Sequence, residues 1–178
     1  MRTLFEDNEI WTDRIFSHPE RTIRLGSLFS GIGAIEHALK RLNIKTEIQF
    51  ASDIDANCKK SYFANYEISE ERWCDDVHKL NAKPYRYKVD LLVGGAPCQA
   101  FSLVGKRRGF EDTRGTLFYE YVRLVKEIEP KVFIYENVTG MLNHDGGRTW
   151  SVISEIFDEL GYCWKYWVKL INSKYDDE

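Results

Sequence analysis

Apolar positions along the chain follow two alternating rhythms. A mostly apolar run over 23–29 predicts a strand, a glycine turn follows, and Ile35, Ala38, Leu39 and Leu42 then recur at helical spacing. A second strand over 47–52 leads through Asp53 to a helix over 57–65, and a third short strand ends in Trp73-Cys74, ahead of Asp75 and Asp76. The compact run 89–93 has the character of a strand buried on both faces and is followed by a long glycine-rich loop, 94–115. Loops of that length commonly carry function. A helix from 117 to 128 precedes a strand over 132–135, and a helix over 149–160 precedes an extended stretch, 162–171. This strand-helix alternation predicts an α/β, Rossmann-like fold, a mostly parallel sheet with helices on both faces. No internal repeat or low-complexity tract interrupts it.

A chain of 178 residues accommodates one such domain with a buried core. Residues 23–178 are assigned to it, and 1–22 to an N-terminal extension. No apolar run is long enough to cross a bilayer. The first twenty or so positions lack the basic start, apolar middle and small-residue cleavage site of a secretory signal, which gives a cytoplasmic protein as the expectation. Cys58, Cys74, Cys98 and Cys163 are scattered without a CxxC pair, so neither a zinc knuckle nor a disulfide framework is indicated. The net charge of −3 argues against a self-sufficient nucleic-acid binder, because neutralising phosphates takes a basic face.

Chemistry-bearing residues fall at the predicted strand ends. The turn Phe29-Ser30-Gly31-Ile32-Gly33 lies between a strand and a helix, where backbone amides and the helix dipole can face a polar ligand. It lacks the third glycine of the dinucleotide pattern and is equally readable as a tight turn. Asp53, about twenty residues on at the end of the next strand, has the position of an acid that accepts ribose hydroxyls. Asp76, at the third strand's end, is placed to meet an adenine amino group; either acid alone also reads as a helix cap. Cys98, in Gly94-Gly95-Ala96-Pro97-Cys98-Gln99, follows the fourth strand at the sheet edge where open α/β folds bind ligands. Lys106, Arg107 and Arg108 nearby favour a thiolate and phosphate binding, or form a solvated loop. Glu136 follows the fifth strand; a partly buried Glu there, protonated near neutral pH, would suit acid catalysis.

Four ordered motifs carry a resemblance: Phe29-Ser30-Gly31-Ile32-Gly33; Pro97-Cys98-Gln99 with Ala100-Phe101-Ser102; 109–118, which includes Arg114 and Leu117; and Glu136-Asn137-Val138. In sequence and spacing they are similar to those of the DNA (cytosine-5) methyltransferase family, over about 23–172. The resemblance implies methyl transfer from S-adenosylmethionine to carbon 5 of cytosine in duplex DNA. It makes Cys98 the nucleophile at carbon 6 and Glu136 the group that engages ring nitrogen N3. It places Phe29, Gly31, Ile32, Gly33, Asp53, Ile54, Asp76, Val77, Pro97 and Leu117 around the cofactor, and Gln99, Ser102, Lys106, Arg114 and Asn137 against DNA. Thiolate addition makes carbon 5 nucleophilic, a covalent route that calls for no metal. The target base lies inside a duplex, so it must be flipped out, and the loop after Cys98 is the natural lid.

The chain departs from the family in having Ser27 where Asp is usual and Ala34 where Gly is frequent. After Leu170 the family continues into a Gly-x-Pro-Gln and Arg-x-Arg segment and a target-recognition region, whereas here Asp176-Asp177-Glu178 follow shortly. The expectation is a catalytic part that works with a C-terminal partner chain, in the restriction-modification setting common for the family. Two other readings stay open on the sequence: a non-catalytic fragment that binds cofactor or a partner, and a tRNA cytosine-5 methyltransferase with the same motifs.

Overall fold

The computed structural model describes residues 18–97 and 117–164. Five strands form one sheet: β1 (Ile23–Leu28), β2 (Thr46–Ser52), β3 (Trp73–Cys74), β4 (Leu91–Gly94) and β5 (Val132–Tyr135). Their order is β3-β2-β1-β4-β5, and every pairing is parallel. Strands β1 and β4 lie inside the sheet and are buried toward their carboxyl ends; β4 accordingly reads as an apolar run, whereas β1 buries Gly26 and Ser27 between its leucines. Strand β5 ends the described sheet and alternates exposed and half-buried positions.

The helices of this layered unit are α1 (Ala34–Arg41), α2 (Ala56–Asn65) and α3 (Leu117–Ile128). By the right-handed rule for parallel crossovers, the strand order sends α1 and α2 to one face of the sheet and α3 to the other. Asp55 starts α2, its side chain accepting from the Asn57 amide at 2.7 Å. Helix α3 buries Phe118, Tyr121, Val122, Leu124, Val125 and Ile128 along one stripe. It ends where Glu129 turns left-handed (φ 51°) ahead of Pro130. Helix α1 differs from its sequence expectation: its buried residue is Glu36, whereas Ala38 is exposed. Helical spacing found the helix, but not a polar contact that draws a carboxylate inward.

The chain divides into two compact units. Among the described residues the first holds 18–97 and 117–136, with all five strands and α1 to α3. The second, 137–164, contains α4 (Gly140–Asn143), a turn over 144–147 and α5 (Arg148–Glu159). In it α5 buries Ile153, Ile156 and Phe157, and the Trp164 ring packs edge-on against Trp150 and Phe157. The short α4 had no periodic signature in the sequence. No helix among the described residues is long and apolar enough to cross a membrane.

Candidate active site

Strand order reverses between β1 and β4, which have β2 and β5 as their outer neighbours. Such a reversal opens a crevice at the carboxyl ends of the strands, because the connections leave toward opposite faces. Phe29, Asp53, Asp76 and Glu136 all lie at that edge, immediately or two residues beyond their strands.

The turn after β1 is built from left-handed residues: Phe29 (φ 53°), Gly31 (φ 54°) and Gly33 (φ 88°). A non-glycine residue in this region costs energy, about 1 kcal/mol or more, so Phe29 is held there by its surroundings. Ser30 does much of the holding. Its amide donates to the Ser52 carbonyl at 3.0 Å, and its hydroxyl accepts from the Ser52 amide at 3.2 Å. The same hydroxyl lies 3.1 Å from the Ser27 carbonyl and 3.2 Å from that of Ser52. The turn is thereby stitched to the end of β2. A Cβ added at Gly31 would meet nothing within 4 Å, so the chain there borders open space.

Asp53 completes the stitching. One carboxylate oxygen accepts from the Gly31 amide at 2.8 Å and the other from the Asp55 amide at 2.9 Å. Each oxygen keeps a lone pair for a further donor. Asp76 caps the turn that follows it, accepting from the His78 amide at 3.1 Å and lying 2.8 Å from His78 Nδ1. The His78 side chain is the main influence that holds the Asp76 carboxyl below its ordinary range. Ile32 and Ile54 stand 64% and 84% exposed beside these acids, whereas Val77 is buried. Acceptor oxygens at two strand ends, beside uncovered backbone and apolar side chains, fit the hydroxyls, amino group and flat ring of an adenosine-containing group.

On the other side of the crevice, β4 and β5 run in register so that Gly94 pairs with Tyr135, and the Glu136 amide donates to the Gly94 carbonyl at 3.0 Å. Glu136 is thus brought beside Gly95. A Cβ at Gly95 would lie 2.5 Å from Glu136 Oε2 and 3.2 Å from the Glu136 carbonyl. Only glycine leaves room for that carboxylate. Glu136 itself is exposed, not partly buried as its sequence setting implied, because it follows the outermost strand of the described sheet.

Residues 23–175 match the family model for C-5 cytosine-specific DNA methylase. The chain belongs to this family. Among similar proteins, the orphan methyltransferase M.SPRI of Bacillus phage SPR is 48% identical over 153 residues, which is 86% of this chain and 34% of the relative. The type II methyltransferase M.Eco47II of Escherichia coli is 46% identical over 138 residues, or 76% of this chain and 32% of the relative. The chain therefore spans about a third of the length of these relatives. Two solved structures share the fold. Dnmt2 methyltransferase of S. pombe (TM-score 0.58, 22% identity) covers 78% of this chain, matching 41% of that one. A prophage-encoded putative DNA modification methyltransferase from E. coli (TM-score 0.56, 24% identity) covers 77% of this chain, matching 38% of that one.

In this methylase-family chain the structure gathers Phe29, Gly31, Ile32, Gly33, Asp53 and Ile54 at one end of β1 and β2, and puts Asp76 and Val77 after β3. Pro97 and Leu117 flank a stretch that is not described, and Leu117 opens α3. Cys98, Gln99, Ser102, Lys106 and Arg114 lie outside the described residues. Asn137 belongs to the second unit, where its side chain accepts from the Val138 amide at 2.9 Å. Sequence reasoning does not single out Ser30, whose weak signal is that of a hydroxyl residue inside a turn.

Proposed function

We propose that this chain carries the S-adenosylmethionine site and the nucleophile of a DNA cytosine-5 methyltransferase. The observation that carries the proposal is the position of Glu136, whose carboxylate occupies the space over Gly95, three residues before Cys98. Gly95 follows β4 and Glu136 follows β5, two neighbouring strands, which supports an acid and a nucleophile that serve one small ring.

In this reading Asp53 accepts from the cofactor's hydroxyls, Phe29, Gly31 and Gly33 shape the turn beside it, Ile32 and Ile54 give apolar cover, and Asp76 lies toward the adenine. The cofactor supplies an electrophilic methyl group on a sulfonium. The protein's own work is to make cytosine carbon 5 a nucleophile. The Cys98 thiolate adds to carbon 6, and the ring's electron pair moves toward carbon 5 as Glu136 hydrogen-bonds or protonates N3. Carbon 5 bonds to the methyl group as the methyl–sulfur bond breaks, its electron pair leaving with the thioether S-adenosylhomocysteine; the carbon 5 proton then leaves to a base and the thiolate is expelled from carbon 6. Aromaticity returns with the free thiol site. The base reaches Cys98 flipped from the duplex, with Gln99, Ser102, Lys106, Arg114 and Asn137 on the DNA side. A C-terminal partner chain carrying the target-recognition region supplies what the other two-thirds of the relatives contain.

The test is transfer of a tritiated methyl group to mixed-sequence duplex DNA by the chain alone, by the chain with such a partner, and by Cys98→Ser in the same mixture. We expect incorporation with the partner and loss of at least about a thousandfold in Cys98→Ser. Undiminished incorporation by Cys98→Ser, or transfer to tRNA in preference to duplex DNA, would overturn the proposal.

A further inference from the structure

We propose that Tyr66 is a positioning residue for the cofactor turn, bracing it at Gly33; this rests on the cofactor reading above. Tyr66 follows the last residue of α2, and its hydroxyl donates to the Gly33 carbonyl at 2.7 Å. That carbonyl also accepts the first bond of α1, from the His37 amide at 3.0 Å. Both of its lone pairs are thereby used, which fixes the orientation of the peptide joining the glycine turn to its helix. The fit is close. A Cβ at Gly33 would fall 2.2 Å from Tyr66 Cε2, so the ring lies directly on the glycine, itself left-handed at φ 88°.

Packing alone does not hold this ring. A solvent-open cleft with about 300 Å³ of space, lined in part by Glu36, Lys40, Ile48 and Tyr66, lies beside it. The Tyr62 ring supports it from one side, with centroids 4.8 Å apart. Without its hydroxyl bond the Tyr66 ring has space to move into, and the turn loses its backing. Tyr62, one helical turn earlier, bonds a different part of α1: its hydroxyl donates to the buried Glu36 carboxylate at 2.7 Å. The two tyrosines divide the labour, Tyr62 joining helix to helix and Tyr66 holding the turn that bears Gly31 and Gly33.

The experiment compares the full chain with Tyr66→Phe and Tyr62→Phe by amide hydrogen exchange and by titration with S-adenosylhomocysteine. For Tyr66→Phe we expect Gly31 and Gly33 amides to exchange about 3- to 10-fold faster, and affinity for S-adenosylhomocysteine to fall by a similar factor, the scale of one hydrogen bond. For Tyr62→Phe we expect a lower unfolding temperature with turn exchange and affinity within about twofold of the parent, since the Gly33 bond is intact. The proposal is overturned if Tyr66→Phe leaves turn exchange unchanged, or if Tyr62→Phe accelerates it equally. A parent chain that does not bind S-adenosylhomocysteine would overturn the cofactor reading itself, and the exchange comparison would then separately decide for or against Tyr66 as the brace of the turn.

Discussion

Gly95 shows how little space separates structure from chemistry at this site. Its missing side chain is the volume that Glu136 Oε2 occupies, 2.5 Å from where a Cβ would be. Because that oxygen is the far end of a flexible side chain, Gly95→Ala should leave the fold standing and push the carboxylate aside. A displacement of about 1 Å at a reacting group costs on the order of a hundredfold in rate. On the proposed role of Glu136 we therefore expect Gly95→Ala to lower methyl transfer, assayed in the partner mixture, by about 10- to 100-fold while the unfolding temperature of the chain shifts little in thermal denaturation. An equal loss of stability and activity would place Gly95 in the fold rather than in the chemistry.

The elements are fastened at their amino ends, away from the crevice. Asp90, just before β4, accepts from the Arg24 backbone amide at 3.0 Å and from Arg24 Nε and Nη2 at 2.9 Å each. Lys131 Nζ, from the residue preceding β5, reaches the same carboxylate at 2.7 Å. One acid thus joins the starts of β1, β4 and β5. The Arg24 side chain, above all, holds the Asp90 carboxyl well below the usual range. A depressed folded-state value means that this contribution is complete above the unfolded carboxylate range, about pH 4, and is lost as pH falls below it. At pH 7 Asp90→Asn should lose about 1.5–3 kcal/mol, the worth of hydrogen bonds to a charged group. Urea unfolding of both proteins from pH 7 downward should show that difference narrowing below about pH 4. A difference independent of pH would remove the ionised carboxylate from the explanation.

At the scale of the molecule, charge bears on what the chain can do unaided. With 25 Lys and Arg against 28 Asp and Glu, it has no overall excess of positive charge to release counterions from a duplex. We expect the chain alone to bind a short duplex no more tightly than about 10 μM at physiological salt, read by fluorescence anisotropy, with affinity rising as salt is lowered. Submicromolar binding by the chain alone would locate a sufficient DNA surface within it.

Much of this protein is decided by local pattern. An apolar run without alternation marks β4 as a strand buried on both faces, helical spacing marks α3, and the acids beyond β2 and β5 follow from where those strands end. Such features are legible because strand and helix periods are properties of consecutive residues, and because a parallel sheet sends its strand ends to one edge. Three features belong to the tertiary structure alone. Pairing of β4 with β5 brings Glu136 over Gly95. A hydroxyl on α2 draws Glu36 inward against the apolar pattern of α1. Tyr66 finds the Gly33 carbonyl 33 positions away. No local rule marks these contacts, because each depends on where two distant segments come to lie once the sheet has assembled.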